Sequence, residues 1–253
     1  MSATRTPGRP ASLRRRVLQQ GRYETLTMLR NGEQLTLAIV LPLLGLIALV
    51  SLPLLDGLPS SRIDTATPGI LALCAMSTAL TGQGIATGFD RRYGVLRFLS
   101  TTPLGRGGLI AGKLLAVLAV LVVQVVVISA VALPLGWRPQ PAGLVLGAVV
   151  MLLGAASFTS LGLLIAGTAR PEATLALTNL LWILLGALGG IVIPPTRLPA
   201  VEQEVVHFLP SGAFGQAMRD ALISGQPNFF AMIVLVVWAV LATAAAVRWF
   251  KWS

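Results

Sequence analysis

Charge is scarce in this chain. Only 11% of its 253 residues are Asp, Glu, Lys or Arg, where a soluble domain carries roughly 25%. An ordinary soluble domain is thereby excluded. Cysteine is nearly absent too: Cys74 is alone, so no intrachain disulfide can form. His207 is the single histidine, which excludes a histidine metal cluster within one chain. The sequence has no HExxH, CxxC or GxSxG, and so none of the common zinc-hydrolase, redox or nucleophile-elbow motifs. Gly107 to Lys113 does fit GxxxxGK, the opening of a phosphate-binding loop. Leu114 stands where a Mg²⁺-holding hydroxyl is needed, no strand precedes it and an apolar run follows, so nucleotide binding there is rejected. Met1–Gln34 lacks an apolar stretch, and no cleavable signal peptide is expected.

What the chain does have is grease: 55% hydrophobic residues and a mean hydropathy of +0.82. Apolar runs of about 20 residues are long enough to cross a bilayer. Six are read here: Leu35–Leu55, Pro68–Gly88, Leu109–Leu133, Ala142–Thr168, Thr174–Ile193 and Phe229–Val247. The expected fold class is therefore an all-α integral membrane protein with six transmembrane helices. Residues 1–34 form a cytoplasmic tail and residues 35–253 the transmembrane domain, with an inner loop at 89–108 and an outer segment at 194–228. Six crossings put both termini on one side, together with all the basic residues except Arg62, Arg138, Arg197 and Arg219. The positive-inside rule makes that side the cytoplasm. The net charge of +10 is thus a topology signal, and nucleic acid is not an expected partner. Richness in Ala, Leu, Val, Gly and Arg suggests a GC-rich bacterial genome, hence the bacterial plasma membrane.

Met1–Pro10 is expected to be disordered. Ser12–Asn31 can be helical, with Ser12 as N-cap, but its apolar residues make no clean stripe. It reads either as a basic helix lying at the membrane surface and touching a partner, or as a solvated retention signal. Gly84/Gly88, Gly108/Gly112, Gly143/Gly147 and Gly186/Gly190 have the small-xxx-small spacing that lets helices approach closely, within a chain or between copies. In the outer segment, Val201–Leu209 and Ala213–Ile223 are too apolar for free loops. They read as two short re-entrant helices over the outer end of a pathway, with Pro210, Phe214 and Arg219 as a gate, or as a loop on the membrane surface. Trp249 to Trp252 is an interfacial anchor at the C-terminus.

Phe89 to Lys113 is unusual among the connections. It carries four arginines and a terminal lysine, yet it also holds Val95, Leu96, Phe98 and Leu99. If Tyr93–Thr101 is helical, Leu96 and Leu99 share a face and Arg97 points elsewhere. Thr102-Pro103 ends the helix. This is a short amphipathic helix suited to pressing on another protein. The spans themselves contain no Asp, Glu, Arg or Lys near mid-membrane, and Gln83, Gln124 and Asn179 are their polar residues besides Ser and Thr. Proton- and sodium-driven carriers use intramembrane ionisable groups, so energy for any transport has to come from outside the bilayer. The three amides are the candidates for lining a pathway.

The stretch DRRYGVLRFLSTTPLGRGGLIAGKLL resembles the first cytoplasmic loop of type-2 ABC exporter permeases, with its acidic-basic pair, Gly-x-Leu, short helix, Thr-Pro and late Gly-Lys. The basic N-terminal helix, six spans and Pro210…Arg219 extend the resemblance along the chain, nearest in style to daunorubicin-resistance-type drug-efflux permeases. The resemblance implies a half-transporter: two permease subunits, identical or paralogous, with two copies of an ABC ATPase subunit that hold the ATP and Mg. No cofactor or metal is implied for this chain, nor catalysis by it. Coupling to the ATPase would fall to Asp90, Arg91, Tyr93, Val95, Leu96, Arg97, Phe98, Leu99, Thr102 and Pro103, assisted by Ser12–Asn31. Arg97 departs from the family, which usually has a glutamate there. The implied activity is export of an amphipathic drug-like or lipid-like cargo, and hence antibiotic resistance. The alternatives are a lipid or polysaccharide exporter, or a membrane anchor or assembly subunit without a transport cycle.

Overall fold

The computed structural model describes residues 11–250, without the side chains of Glu33 and Gln34. Met1–Pro10, Lys251 and Trp252 lie outside the described residues. Among the described residues the chain is helical throughout, with no strand.

Helix α1 (Leu13–Arg30) starts where Ser12 Oγ accepts the Arg15 amide, the expected N-cap. Helix α2 (Gly32–Ser51) follows and contains Pro42. Ser61 caps α3 (Arg62–Met76), which runs through a π-helical segment, Ser77–Gly82, into α4 (Gln83–Arg92). Gly94, at φ +76°, turns the chain into the short α5 (Val95–Ser100). That left-handed conformation suits glycine because it has no Cβ, and it delays the start of α5 by two residues from the expected Tyr93. Helices α6 (Gly105–Ala132) and α7 (Pro141–Thr168) have 28 residues each. Next come α8 (Pro171–Ala187), α9 (Ala200–Phe208), α10 (Pro210–Arg219) with a π-helical extension Asp220–Ser224, and α11 (Phe229–Trp249).

Among the described residues, four helices are long and apolar enough to cross a membrane: Arg62–Arg92, α6, α7 and α11. A fifth crossing arises if α1 and α2, bent by 67°, count as one span. Helix α8 is a shorter apolar helix of 17 residues. It stops before the expected Ile193 because the chain turns at Gly190 (φ +69°), under Val206 and Pro195.

Helix α7 is the centre of the molecule, packed against α3, α4, α6, α10 and α11. Its glycines make that possible. A Cβ on Gly162 would lie 2.6 Å from the Leu80 carbonyl oxygen, and one on Gly154 would strike the Phe214 ring at 2.4 Å. The spaced glycine pairs read from the sequence serve contacts within this chain. Gly84 meets Thr178 and Gly162, Gly112 meets Gln20, and Gly143 meets the Ala221 carbonyl.

Candidate functional site

The ends of α4, α7 and α11 and the starts of α6 and α8 are tied together near α5 by arginines that donate to backbone carbonyls. Arg91 Nη1 donates to the Ala169 carbonyl at 2.8 Å, just past the end of α7. Arg106 Nη1 donates to the Val247 carbonyl at 2.7 Å, in the last turn of α11. Each guanidinium satisfies carbonyls that a helix C-terminus leaves without partners and complements the negative end of the helix dipole. Arg92 adds an exposed ion pair to Glu172 at the start of α8, 3.5 Å apart.

Helix α5 is split by its own side chains. Leu96 is fully buried in a small apolar cluster with Leu104, Leu109 and Phe250, and Val17 and Leu99 pack against it. Full burial of one leucine side chain contributes roughly 1.5–3 kcal/mol, so Leu96 is an anchor inside this chain. The opposite side is open: Tyr93 is 72% and Phe98 71% exposed, with Phe89, Val95 and Arg97 beside them. The Phe89 and Tyr93 rings stack with centroids 6.2 Å apart. Thr102 Oγ1 donates to the Leu99 carbonyl at 2.7 Å, finishing the helix, and Pro103 is exposed. A cleft of about 380 Å³ lies between α1 and this turn, lined by Arg16, Gln19, Leu99 and Pro103 among others.

Beneath α5 lies a group that the sequence reading missed. Lys113 is fully buried, and its Nζ is 2.9 Å from Glu24 Oε1 and 3.1 Å from Asp90 Oδ2. Gln20 Nε2 also donates to Glu24 Oε1 at 2.9 Å. Three elements, α1, α4 and α6, are thus joined by one ammonium. Isolated buried charge costs several kcal/mol, and the paired carboxylates offset it. Helix α1 reaches this position because Gly21 and Gly112 let it lie close to α6. Helix α1 thus packs along α6 within this chain. Glu24 had a signal in the sequence: it is the single acid in an otherwise basic helix.

The three candidate pathway amides are not brought together. Gln124 accepts from Thr78 at 3.1 Å and donates to the Ala38 carbonyl at 2.9 Å, so it braces α2 and α6 at the π-helical segment. Gln83 is buried, with Nε2 against Met28 Sδ at 3.1 Å. Asn179 lies exposed on α8. At the far end of the molecule the candidate gate residues Pro210, Phe214 and Arg219 are all buried. Phe214 packs on Phe158, with centroids 6.1 Å apart. Arg219 donates from Nη1 to the Ile191 carbonyl (3.0 Å) and from Nη2 to that of Gly190 (2.8 Å), clamping the turn after α8.

Two comparisons with known proteins bear on this arrangement. The ABC-2 type transporter family matches residues 17–223. A Bacillus subtilis (strain 168) protein named "Putative transport permease YvfS" is 26% identical over 174 residues, covering 66% of this chain and 68% of that one. The chain belongs to the ABC-2 type transporter family, a multi-pass membrane family that generally works with an ATPase subunit.

Proposed function

From that membership we propose that the chain is the permease subunit of an ATP-driven exporter, and that α5 is where the force enters. Two copies of a separate ATPase, carrying the ATP and Mg, would bind beneath two permease subunits, identical or paralogous. Six crossings, with α2 and α8 completing the set, would leave both termini in the cytoplasm of a bacterial cell. The arginine-rich end around α5 then faces inward, in keeping with the positive-inside rule. The cargo class that suits the apolar spans is amphipathic, drug-like or lipid-like.

One observation carries this reading. Helix α5 is fixed to its own chain by Leu96 and presents Phe98 and Arg97 outward, with Tyr93 exposed at the end of α4 just before it. Exposed aromatics and arginine are the residue types that dominate binding interfaces. The clamps of Arg91 and Arg106 on the ends of α7 and α11 would pass a push on α5 to two long helices at once. Asp90, paired with Lys113, would pass it to α6 and α1.

Phe98→Asp and Tyr93→Asp in the full-length permease, co-expressed with the ATPase it works with, test the reading. The expected result is loss of co-purification and of permease-dependent ATP hydrolysis by at least about tenfold, the scale of an interface hot spot, with the permease still in the membrane. Unchanged complex formation and hydrolysis in both variants would refute it.

A further inference from the structure

Helices α1 and α2 stand away from α4 and α8 over part of their length, and a cleft of about 1150 Å³ separates them. That is at the upper end of the size of small-molecule sites. Its two ends differ. One is apolar, with Leu41, Pro42, Leu73 and Trp182 in the wall. The other holds the carboxylates of Glu24 and Asp90 beside the rings of Tyr23 and Phe89. Lys113, the third member of their ion-paired group, is fully buried and is not in the wall. The group therefore carries two acids against one base and turns its acidic side to the cleft.

We propose that this cleft binds a small amphiphile with one positive charge, its cationic head between Glu24, Asp90 and the Tyr23 and Phe89 rings and its apolar body against Pro42, Leu73 and Trp182. The charge sign follows from the surplus carboxylate, and aromatic faces attract a cation further. The length of the cleft calls for an apolar body rather than a bare ion. Val95 and Phe98 of α5 also line the cleft, so an occupied cleft touches the helix assigned to coupling. This deepens the exporter reading by naming a cargo class, and it rests on that reading only for the binding event to be part of transport.

The test uses the whole permease in lipid nanodiscs, without ATPase, and two probes sharing one dye and one chain. Dansyl-labelled aminoundecyl ammonium is compared with dansylaminoundecanoic acid, and energy transfer from tryptophan reads occupancy above the protein-free nanodisc background. The ammonium probe is expected to bind at least tenfold more tightly than the carboxylate probe. Trp182→Phe should remove most of the transfer, and Asp90→Asn should erase the preference between the probes. Equal affinity of the two probes for the wild-type chain would overturn the proposal, and that arm needs no variant to fold. So would an undiminished preference in an Asp90→Asn protein that still unfolds cooperatively. Arg97 is exposed on α5 and is not part of the cleft wall, so Arg97→Ala separates the two ideas. Lost ATPase binding with an intact probe preference confirms both sites, lost ATPase binding with no probe preference in the wild-type chain removes the cleft alone, and intact ATPase binding with a preserved preference removes the coupling site alone.

Discussion

Lys113 shows how a single side chain decides whether the inner end of the molecule holds together. A lysine with no exposed surface is tolerable because Glu24 and Asp90 both reach it. Removing a partner from a buried pair costs on the order of 3–5 kcal/mol. Glu24, whose side chain is 10% exposed, is expected to be the costlier loss; Asp90 at 30% is partly relieved by solvent. Thermal unfolding of purified Glu24→Gln and Asp90→Asn should therefore give the lower midpoint to Glu24→Gln, and equal midpoints would contradict the ranking. Leu96 and Phe98 make the complementary pair. Leu96→Ala empties a fully buried site and should cost about 2–5 kcal/mol of stability. Phe98→Ala removes an exposed ring, should leave the melting temperature within a degree or two, and should act on ATPase binding instead. Phe98 was readable as part of a contact surface from its place in an arginine-rich loop, whereas Leu96 on the same helix is committed inward. Sequence spacing put Leu96 and Leu99 on one face but could not say that the face was already occupied by Val17, Leu104 and Phe250. Val17 and Phe250 come from opposite ends of the chain.

At the scale of elements, periodicity and punctuation were enough to find most helices. Ser12 as cap, Thr102-Pro103 near the end of α5 and the proline-started α8 and α10 are local signals. The breaks were less legible. Helix α8 ends at Ala187, just before Gly189-Gly190, within an apolar run that continues to Ile193, and only the packing of Gly190 under Val206 reveals the turn. The π-helical segment at Ser77–Gly82 has no composition signal, and Gln124 and Thr78 pair across it. Small residues at helix crossings give a sharp expectation. Gly162→Ala would place a methyl 2.6 Å from the Leu80 carbonyl and 3.1 Å from that of Ala79. Backbone cannot yield cheaply there, so α7 and the π-helical segment must part, and both expression and melting temperature should fall. Gly107→Ala meets nothing within 4 Å in the exposed first turn of α6. Alanine there is favoured by up to about 1 kcal/mol in helix propensity, and the variant should be as stable as the parent or more so. A Gly162→Ala protein as stable as Gly107→Ala would mean that the crossing of α7 is looser than described.

For the whole molecule, the absence of charge in the spans and its concentration at one end were plain in the sequence, and they led to the idea of a body driven from outside the bilayer. What the sequence could not convey was that the same arginines and Lys113 also bind the helices to one another there. Arg91 caps α7, Arg106 caps α11, and Lys113 joins α1, α4 and α6. The far end is closed by a different device, the clamp of Arg219 on Gly190 and Ile191. Arg219→Lys keeps the charge but gives up the two-carbonyl fork, and it should loosen α10 against α8, seen as faster amide exchange across residues 188–199. The central claim concerns the near end alone. Amide hydrogen exchange of the reconstituted permease, with and without its ATPase, tests it most directly. The account predicts new protection at residues 93–101 and on the neighbouring exposed face of α1 when the ATPase is added. Exchange at 93–101 that stays fast while protection appears elsewhere on the molecule would contradict it.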